Sequence, residues 1–168
     1  MGIVIFGYVA AFLVSAALLF NRYMLYRNHA EEAAAAGGMY AFGDLILESM
    51  IVALFLIPTF VLALTIRDSE AGSTRYSQVL LGISLTAPLS LVFIIPAVTQ
   101  LNDALGWIAF YRLWDAPLFF VGLVFCRLFA LFPRAKRLLN YALLVEGGSL
   151  VLIAGFIVFA FVYWGARR

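Results

Sequence analysis

The sequence is poor in the residues that most enzymes use for chemistry. It contains one cysteine and one histidine, and its one lysine is Lys136. A single cysteine, Cys126, excludes an internal disulfide. One histidine and one cysteine exclude bis-histidine haem ligation, a clustered zinc site and a Cys–His nucleophile pair. The sequence therefore predicts no catalytic residue, no cofactor and no metal site, and we expect a protein that is not an enzyme.

Charge is also scarce. Only 12% of the residues are charged, 65% are hydrophobic, and the mean hydropathy is +1.05. Soluble domains carry about 25% charged residues, so this composition indicates a protein surrounded by membrane lipid. The basic residues are scattered and form no stripe, which argues against a nucleic-acid partner.

Long apolar runs are the main feature that is present. A bilayer core requires about 20 apolar residues for each helix. We therefore predict an all-α integral membrane protein with a bundle of about five transmembrane helices. A short interfacial aromatic helix is expected before the fourth span, and residues 1–168 are expected to form a single polytopic membrane domain. The predicted spans are residues 3–20, 45–66, 79–99, 117–132 and 141–164.

The orientation of a multi-pass protein follows the excess of lysine and arginine in its cytoplasmic loops. Five spans would leave equal numbers of these residues on the two sides of the membrane. The densest short basic stretch is the predicted loop Pro133–Leu138, which contains "PRAKR". This loop favours the cytoplasm for itself and for the N-terminus, and the sequence does not indicate which membrane is involved.

The segment from residue 104 to residue 115 has the most regular pattern in the chain. Its four aromatic residues at positions i, i+3, i+4 and i+7 share one face of a helix, and Asn102 or Asp103 can cap its start. An aromatic face of this kind fits a helix in the headgroup layer. The alternative is that the segment forms the first turns of one long, kinked span. The aromatic residues are Trp107, Phe110, Tyr111 and Trp114.

Arg127 and Glu146 are isolated charges within apolar runs. If the fourth and fifth spans form a hairpin centred near Lys136, both charges lie about 10 Å from the same interface. Opposite charges at equal depth on neighbouring helices predict an intramembrane ion pair. In the alternative, Arg127 extends to the headgroups while Glu146 faces water or is protonated.

A second set of polar residues is expected at the opposite membrane face. Asp44 and Glu48 share one face at the start of the second span, and the predicted topology brings Arg112 and Asp115 to a similar depth. These four residues form a candidate interfacial polar cluster. They either hold the loops together by salt bridges or act as a functional site.

The first span contains three small residues at four-residue spacing, Gly7, Ala11 and Ser15. Such a stripe allows the backbone of another helix to approach closely. We therefore predict that these residues form a helix-packing surface, and that this surface faces a partner if the protein is a subunit.

Two classes of function fit these observations. The first is a non-catalytic integral membrane subunit, which is an accessory, scaffold or assembly component of a larger complex with other membrane protein subunits. The second is a small transporter or channel that works as a self-oligomer. It would use Glu48, Arg112 and Asp115 as a gate. Its path would follow the second and third spans, which are kinked by Pro58 and by Pro88 and Pro96.

Overall fold

The computed structural model describes residues 2–97 and 104–165. Within these ranges the chain forms helices and no strand, so the predicted all-α fold is confirmed. The predicted cap residues Asn102 and Asp103 lie outside the described residues. The helices are α1 (Gly2–Asn28), α2 (Ala30–Ala35), α3 (Gly37–Ile66), α4 (Glu70–Ser84), α5 (Thr86–Ala97), α6 (Ala104–Trp114), α7 (Ala116–Phe129) and α8 (Pro133–Gly165).

Four helical segments of the described chain are long and apolar enough to cross a membrane. Helices α6 and α7 make a fifth candidate if they count as one segment, because they meet at a bend of 49°. The number agrees with the predicted spans, although residues 98 and 99 of the third one lie outside the described residues. The four segments are Gly2–Asn28, Gly37–Ile66, Glu70–Ile94 and Pro133–Tyr163.

The chain divides into two compact units. Unit 1 ends at Ile66 and contains α1 to α3, and unit 2 begins at Arg67 and contains α4 to α8. The assignment of both units to one polytopic domain stays a prediction.

In unit 1, α1 packs against α3. The contacts between them pair residues that lie at nearly equal distances on either side of Ala33, so the two helices run antiparallel and α2 forms the connection. The contacting pairs are Gly7 with Pro58, Tyr8 with Thr59, and Arg22 with Asp44.

The small residues of α1 lie on its buried face. A Cβ atom added to Gly7 would lie 3.0 Å from Cβ of Pro58, so the absence of a side chain allows α1 and α3 to approach. Ala11 and Ser15 are also buried within the chain. The expectation that this stripe faces a partner protein is therefore wrong, because the chain itself covers it.

In unit 2, α4 packs along α8 through mostly small side chains. The buried residues of both helices recur at the spacing of a helical face. The buried hydroxyl groups of Ser77, Ser84 and Ser149 each donate to a carbonyl oxygen four residues earlier in the same helix. The buried residues are Ser73, Thr74, Ser77, Leu80 and Ser84 on α4, and Ala135, Leu139, Ala142, Glu146 and Ser149 on α8.

The turn between α7 and α8 is shorter than the sequence predicts. Helix α7 ends at Phe129 and α8 begins at Pro133, where a proline is favoured because the first helical position needs no N–H donor. The Lys136 amide already donates to the Phe132 carbonyl at 3.0 Å. The predicted loop Pro133–Leu138 is therefore wrong, since these residues form the first turns of α8.

Candidate functional site

Arg112 and Glu146 form a bidentate ion pair inside unit 2. Nη1 of Arg112 lies 2.9 Å from Oε1 of Glu146, and Nη2 lies 2.7 Å from Oε2. The Glu146 side chain is 0% exposed, and the Arg112 side chain is 18% exposed. A buried carboxylate requires such a partner, because burial of an unpaired charge costs several kcal/mol.

The remaining face of the Arg112 guanidinium contacts three other helices. Its Nε donates to Oγ1 of Thr86 at 2.8 Å, and Nη2 approaches the Ile83 carbonyl oxygen at 3.5 Å. The guanidinium carbon also lies 5.2 Å from the centre of the Phe119 ring, within the range of a cation–π interaction. Arg112 of α6 thus contacts α4, α5, α7 and α8. We call Arg112, Glu146, Thr86, Ile83 and Phe119 the unit 2 centre.

Two prolines explain why the helices are interrupted close to this centre. Pro88 has no N–H group for the Ser84 carbonyl, and its ring crowds that carbonyl; α4 accordingly ends at Ser84 and α5 begins at Thr86. Pro117 has the same effect on the Leu113 carbonyl, next to the 49° bend between α6 and α7. The interruption near Leu85 places the Ile83 carbonyl and the Thr86 hydroxyl within reach of Arg112.

Glu146 lies deep along α8. It is the fourteenth residue of a 33-residue helix, so it lies about 20 Å from the start of α8 at 1.5 Å per residue. The unit 2 centre is therefore far from the short turn between α7 and α8. A charge at this depth is held by direct partners, whereas a charge near a helix end can reach water by extending its side chain.

The predicted ion pair between Arg127 and Glu146 is wrong. Nε of Arg127 donates to Oδ1 of Asn140 at 2.6 Å, and Glu146 pairs with Arg112. The error comes from the centre of the hairpin. The contacts of Arg127 with Asn140 and of Phe120 with Gly147 place the centre between residues 133 and 134, whereas the sequence predicts a centre near Lys136.

Unit 1 contains an ion pair of its own, between Arg22 and Asp44. Nε of Arg22 lies 2.6 Å from Oδ1 of Asp44, and Nη2 donates to the Tyr40 carbonyl oxygen at 2.7 Å. The Tyr26 hydroxyl donates to the second carboxylate oxygen of Asp44. The side chains of Arg22 and Asp44 are 21% and 32% exposed. We call Arg22, Tyr26, Tyr40 and Asp44 the unit 1 centre.

Aromatic rings and a glycine complete the unit 1 centre. The Arg22 guanidinium carbon lies 4.8 Å from the centre of the Tyr26 ring and 5.1 Å from that of Tyr40. A Cβ atom added to Gly43 would lie 3.1 Å from Nη2 of Arg22. The lack of a side chain at Gly43 therefore leaves room for the guanidinium beside α3.

The predicted polar cluster draws its members from both units. Asp44 and Glu48 belong to α3 of unit 1, where Glu48 follows Asp44 by one turn and is partly buried. Arg112 and Asp115 belong to unit 2, and Asp115 precedes α7 without capping it by a side-chain hydrogen bond. The structure gives Asp44 and Arg112 separate partners, so the joint cluster of four residues stays a prediction.

The aromatic segment is a helix, α6, as the pattern predicts. The rings of Trp107, Phe110 and Tyr111 contact one another, with centroids 6.0 to 6.1 Å apart. Trp107 and Trp114 are partly exposed. Both the placement of α6 in a headgroup layer and the alternative of one kinked span stay predictions, since the bend before α7 fits either arrangement.

The other candidate ligands are dispersed. Among residues 2–97 and 104–165, no group of three or more histidine, cysteine, aspartate or glutamate side chains lies close enough to hold a metal ion.

The comparisons with known proteins add no assignment. No family model, curated protein or solved structure matches this chain.

Proposed function

We propose that this protein is a multi-pass integral membrane protein that acts as a non-catalytic subunit of a larger membrane complex. In this role it is an accessory, scaffold or assembly component. The observation that carries the proposal is the surface of α8 from Val151 to Tyr163. The arrangement of polar groups in the unit 2 centre gives further support.

Helix α8 has no buried face between Val151 and Tyr163. From Val151 to Tyr163 no residue is buried, and nearly all of the side chains are apolar. These thirteen residues make more than three helical turns, so apolar side chains point in every direction around the helix axis. A helix that is apolar all round is stable only in apolar surroundings, which a bilayer and the helices of another subunit both provide. The large exposed side chains include Phe156, Phe159, Phe161, Val162 and Tyr163.

The unit 2 centre supports a structural role for the protein. The two oxygens of Glu146 both accept from Arg112, and the Nε of Arg112 is occupied by Thr86. Polar groups that are satisfied by one another fix helices in place. The proposed subunit therefore presents an apolar surface to its partners, and its buried ion pair fixes the positions of the helices that carry this surface.

Gentle-detergent purification from the native membrane tests this proposal. We expect a stoichiometric complex with other membrane proteins. Phe159→Ala together with Phe161→Ala should release the partner and leave the protein inserted in the membrane, because these side chains are exposed in the isolated chain. Phe12→Ala is the matched control on α1, where the side chain is also exposed. Purification of the wild-type protein alone, without a stoichiometric partner, would contradict the proposal.

One observation favours the second function, a small oligomeric transporter or channel. The interruption between α4 and α5 contacts the buried Arg112–Glu146 pair, and α6 and α7 bend nearby. Interrupted helices that surround buried charges are typical of solute and ion sites in transporters. The acid of such a gate would be Glu146, since it is the carboxylate that Arg112 contacts.

A flux assay separates the two functions. Purified protein in liposomes should show no solute or proton flux if it is a subunit. Reproducible flux that is lost in Glu146→Gln and retained in Glu70→Gln, an exposed glutamate of α4, would favour transport. Removal of the titrating group would then remove the coupling.

A further inference from the structure

A groove of about 290 Å³ lies between α1 and α3 of unit 1. Its lining is apolar apart from Asn21 and Arg22, and Arg22 is its charged member. Asp44, the carboxylate partner of Arg22, does not line the groove. The groove therefore presents a cation beside an apolar surface. The lining residues are Leu18, Asn21, Arg22 and Leu25 on α1, and Gly43, Ile46, Leu47 and Met50 on α3.

The Arg22 guanidinium is fixed by the other residues of the unit 1 centre. Asp44 and the Tyr40 carbonyl occupy its Nε and Nη2 atoms. The rings of Tyr26 and Tyr40 lie 4.8 Å and 5.1 Å from its central carbon, and the Arg22 side chain is only 21% exposed. A side chain that is already held in one position loses little conformational entropy when it binds a ligand.

One nitrogen of this guanidinium keeps its hydrogens unused. Nη1 of Arg22 makes no hydrogen bond within residues 2–97 and 104–165. A Cβ atom at Gly43 would lie 3.1 Å from Nη2 and 3.7 Å from Nη1, and Gly43 lines the groove. The missing side chain therefore leaves the guanidinium open to the groove. In the unit 2 centre, by contrast, Nε, Nη1 and Nη2 of Arg112 all have protein partners.

The order of the groups along the groove matches that of a phospholipid. Arg22 follows the apolar run of α1, which is the level of the lipid headgroups. Leu18 lies one turn, about 6 Å, further into the apolar run. Helix α3 runs in the opposite direction, so Leu47 and Met50 also lie further in than Gly43. A phospholipid places its phosphate at the first level and its acyl chains at the second, and basic pockets between transmembrane helices bind such headgroups.

We propose that this groove binds one phospholipid. Nη1 of Arg22 and the Asn21 amide donate to the phosphate, and an acyl chain lies against Leu18, Leu47 and Met50. The occupant is a membrane lipid and not a free phosphorylated solute, because six of the eight lining residues have no polar side chain. The site requires membrane insertion, as the proposed function does, and it does not require the subunit role.

Native mass spectrometry of the delipidated full chain in detergent tests the site. Palmitoyl-oleoyl phosphatidylglycerol is the probe, the diacylglycerol with the same chains lacks the phosphate, and inorganic phosphate lacks the chains. We expect the first phosphatidylglycerol molecule to bind about tenfold tighter than diacylglycerol, since one charge-assisted hydrogen bond separates them. Equal affinity for the two lipids would show that the groove takes acyl chains alone and would overturn the proposal. Inorganic phosphate that binds as tightly as the phospholipid would overturn it as well.

Glycine variants connect the binding to the groove. Gly43→Ala places a Cβ atom against the Arg22 guanidinium and should weaken phosphatidylglycerol binding about tenfold. Gly38→Ala is the matched control on α3, because a Cβ atom there meets nothing within 4 Å and Gly38 does not line the groove. Unchanged affinity in Gly43→Ala, or an equal loss in Gly38→Ala, overturns the proposal.

A second variant tests the apolar part of the groove. Met50, with 52% of its surface exposed, can be replaced by a larger side chain without a change in the unit 1 centre. Met50→Trp should fill the space of the acyl chain and weaken phosphatidylglycerol binding several-fold. Circular dichroism checks that each variant remains helical. If Gly43→Ala unfolds, Met50→Trp decides, and unchanged affinity in that variant overturns the proposal.

The lipid test and the co-purification test have separate outcomes. A protein that purifies without a stoichiometric partner and still binds phosphatidylglycerol at Gly43 keeps this site and loses the subunit role. A protein that purifies in a complex and does not distinguish phosphatidylglycerol from diacylglycerol loses this site alone.

Discussion

The two arginine–carboxylate centres use the same charged groups in different surroundings. In unit 1, Asp44 accepts from both Arg22 and Tyr26, and its side chain is 32% exposed. In unit 2, Glu146 is fully buried, and Arg112 is its partner among the described residues. Asp44 has two protein donors and access to water, whereas Glu146 depends on one arginine. The comparison shows that the energetic importance of an ion pair depends on the alternatives that remain when one partner is removed.

The largest expected effect is that of Arg112→Ala. This change leaves Glu146 buried without a partner, which should lower the free energy of unfolding by about 3–5 kcal/mol. The double variant Arg112→Met with Glu146→Leu should recover most of the loss, because it removes both charges and refills the space. Unfolding in mixed detergent micelles, followed by circular dichroism, measures both. Equal losses in the single and double variants would show that the pair is unimportant.

Asp44→Ala should have a smaller effect. Arg22 keeps the Tyr40 carbonyl and partial access to water, so we expect a loss of about 1–2 kcal/mol, in line with a hydrogen bond to a charged group that is partly screened. The same unfolding assay applies, with Asp68→Ala as the control for an exposed acidic residue. A loss as large as that of Arg112→Ala would remove the distinction between the two centres.

Adjacent glycines of α8 provide a finer test of packing near the unit 2 centre. A Cβ atom at Gly147 would lie 3.1 Å from Cε2 of Phe120, whereas one at Gly148 would meet nothing within 4 Å. Gly148→Ala should therefore stabilise α8 by up to about 1 kcal/mol through helix propensity. Gly147→Ala should lose that gain because the Phe120 ring must move. Equal melting temperatures would contradict the close contact of α7 with α8.

The smallest effect is expected for Arg127→Gln. Arg127 bonds to Asn140 near the exposed end of the α7–α8 hairpin, and glutamine can keep a hydrogen bond to an amide. We expect a change within about 0.5 kcal/mol, as is typical of surface positions. A loss of stability as large as that of Arg112→Ala would indicate that Arg127 is a buried charge. That result would contradict the assignment of Glu146 to Arg112.

The sequence predicts the number and order of the long apolar helical segments well, because an apolar run of sufficient length has few alternatives to a helix. It predicts their ends less well. Helix α1 continues to Asn28 and α8 begins at Pro133, and both extensions contain polar residues with good helix propensity. Hydropathy alone treats such residues as loop, whereas the backbone continues its hydrogen bonds through them.

For the candidate sites, the sequence identifies most of the charged residues and mispairs one of them. Arg112, Glu146 and Asp44 are candidates in the sequence because charged side chains within apolar runs are costly to place in a membrane. The partner of Glu146 is wrong because an error of about three residues in the hairpin centre shifts each predicted partner by about six. The same depth argument, applied to a hairpin centred on Ala33, pairs Arg22 with Asp44, as the structure does. Hydropathy does not single out Arg22, because it follows the apolar run of the first span.

The separation of Arg112 from Glu146 along the chain has a consequence for biosynthesis. The ribosome makes Arg112 34 residues before its carboxylate partner. Until α8 is made, the contacts of the guanidinium within unit 2 are the Thr86 hydroxyl, the Ile83 carbonyl and the Phe119 ring. Docking of α8 supplies the missing negative charge. A nascent chain that stops before Glu146 would carry the Arg112 cation without the carboxylate that both of its Nη atoms contact. We therefore expect unit 2 to reach its full stability only when α8 has packed against α4 and α7.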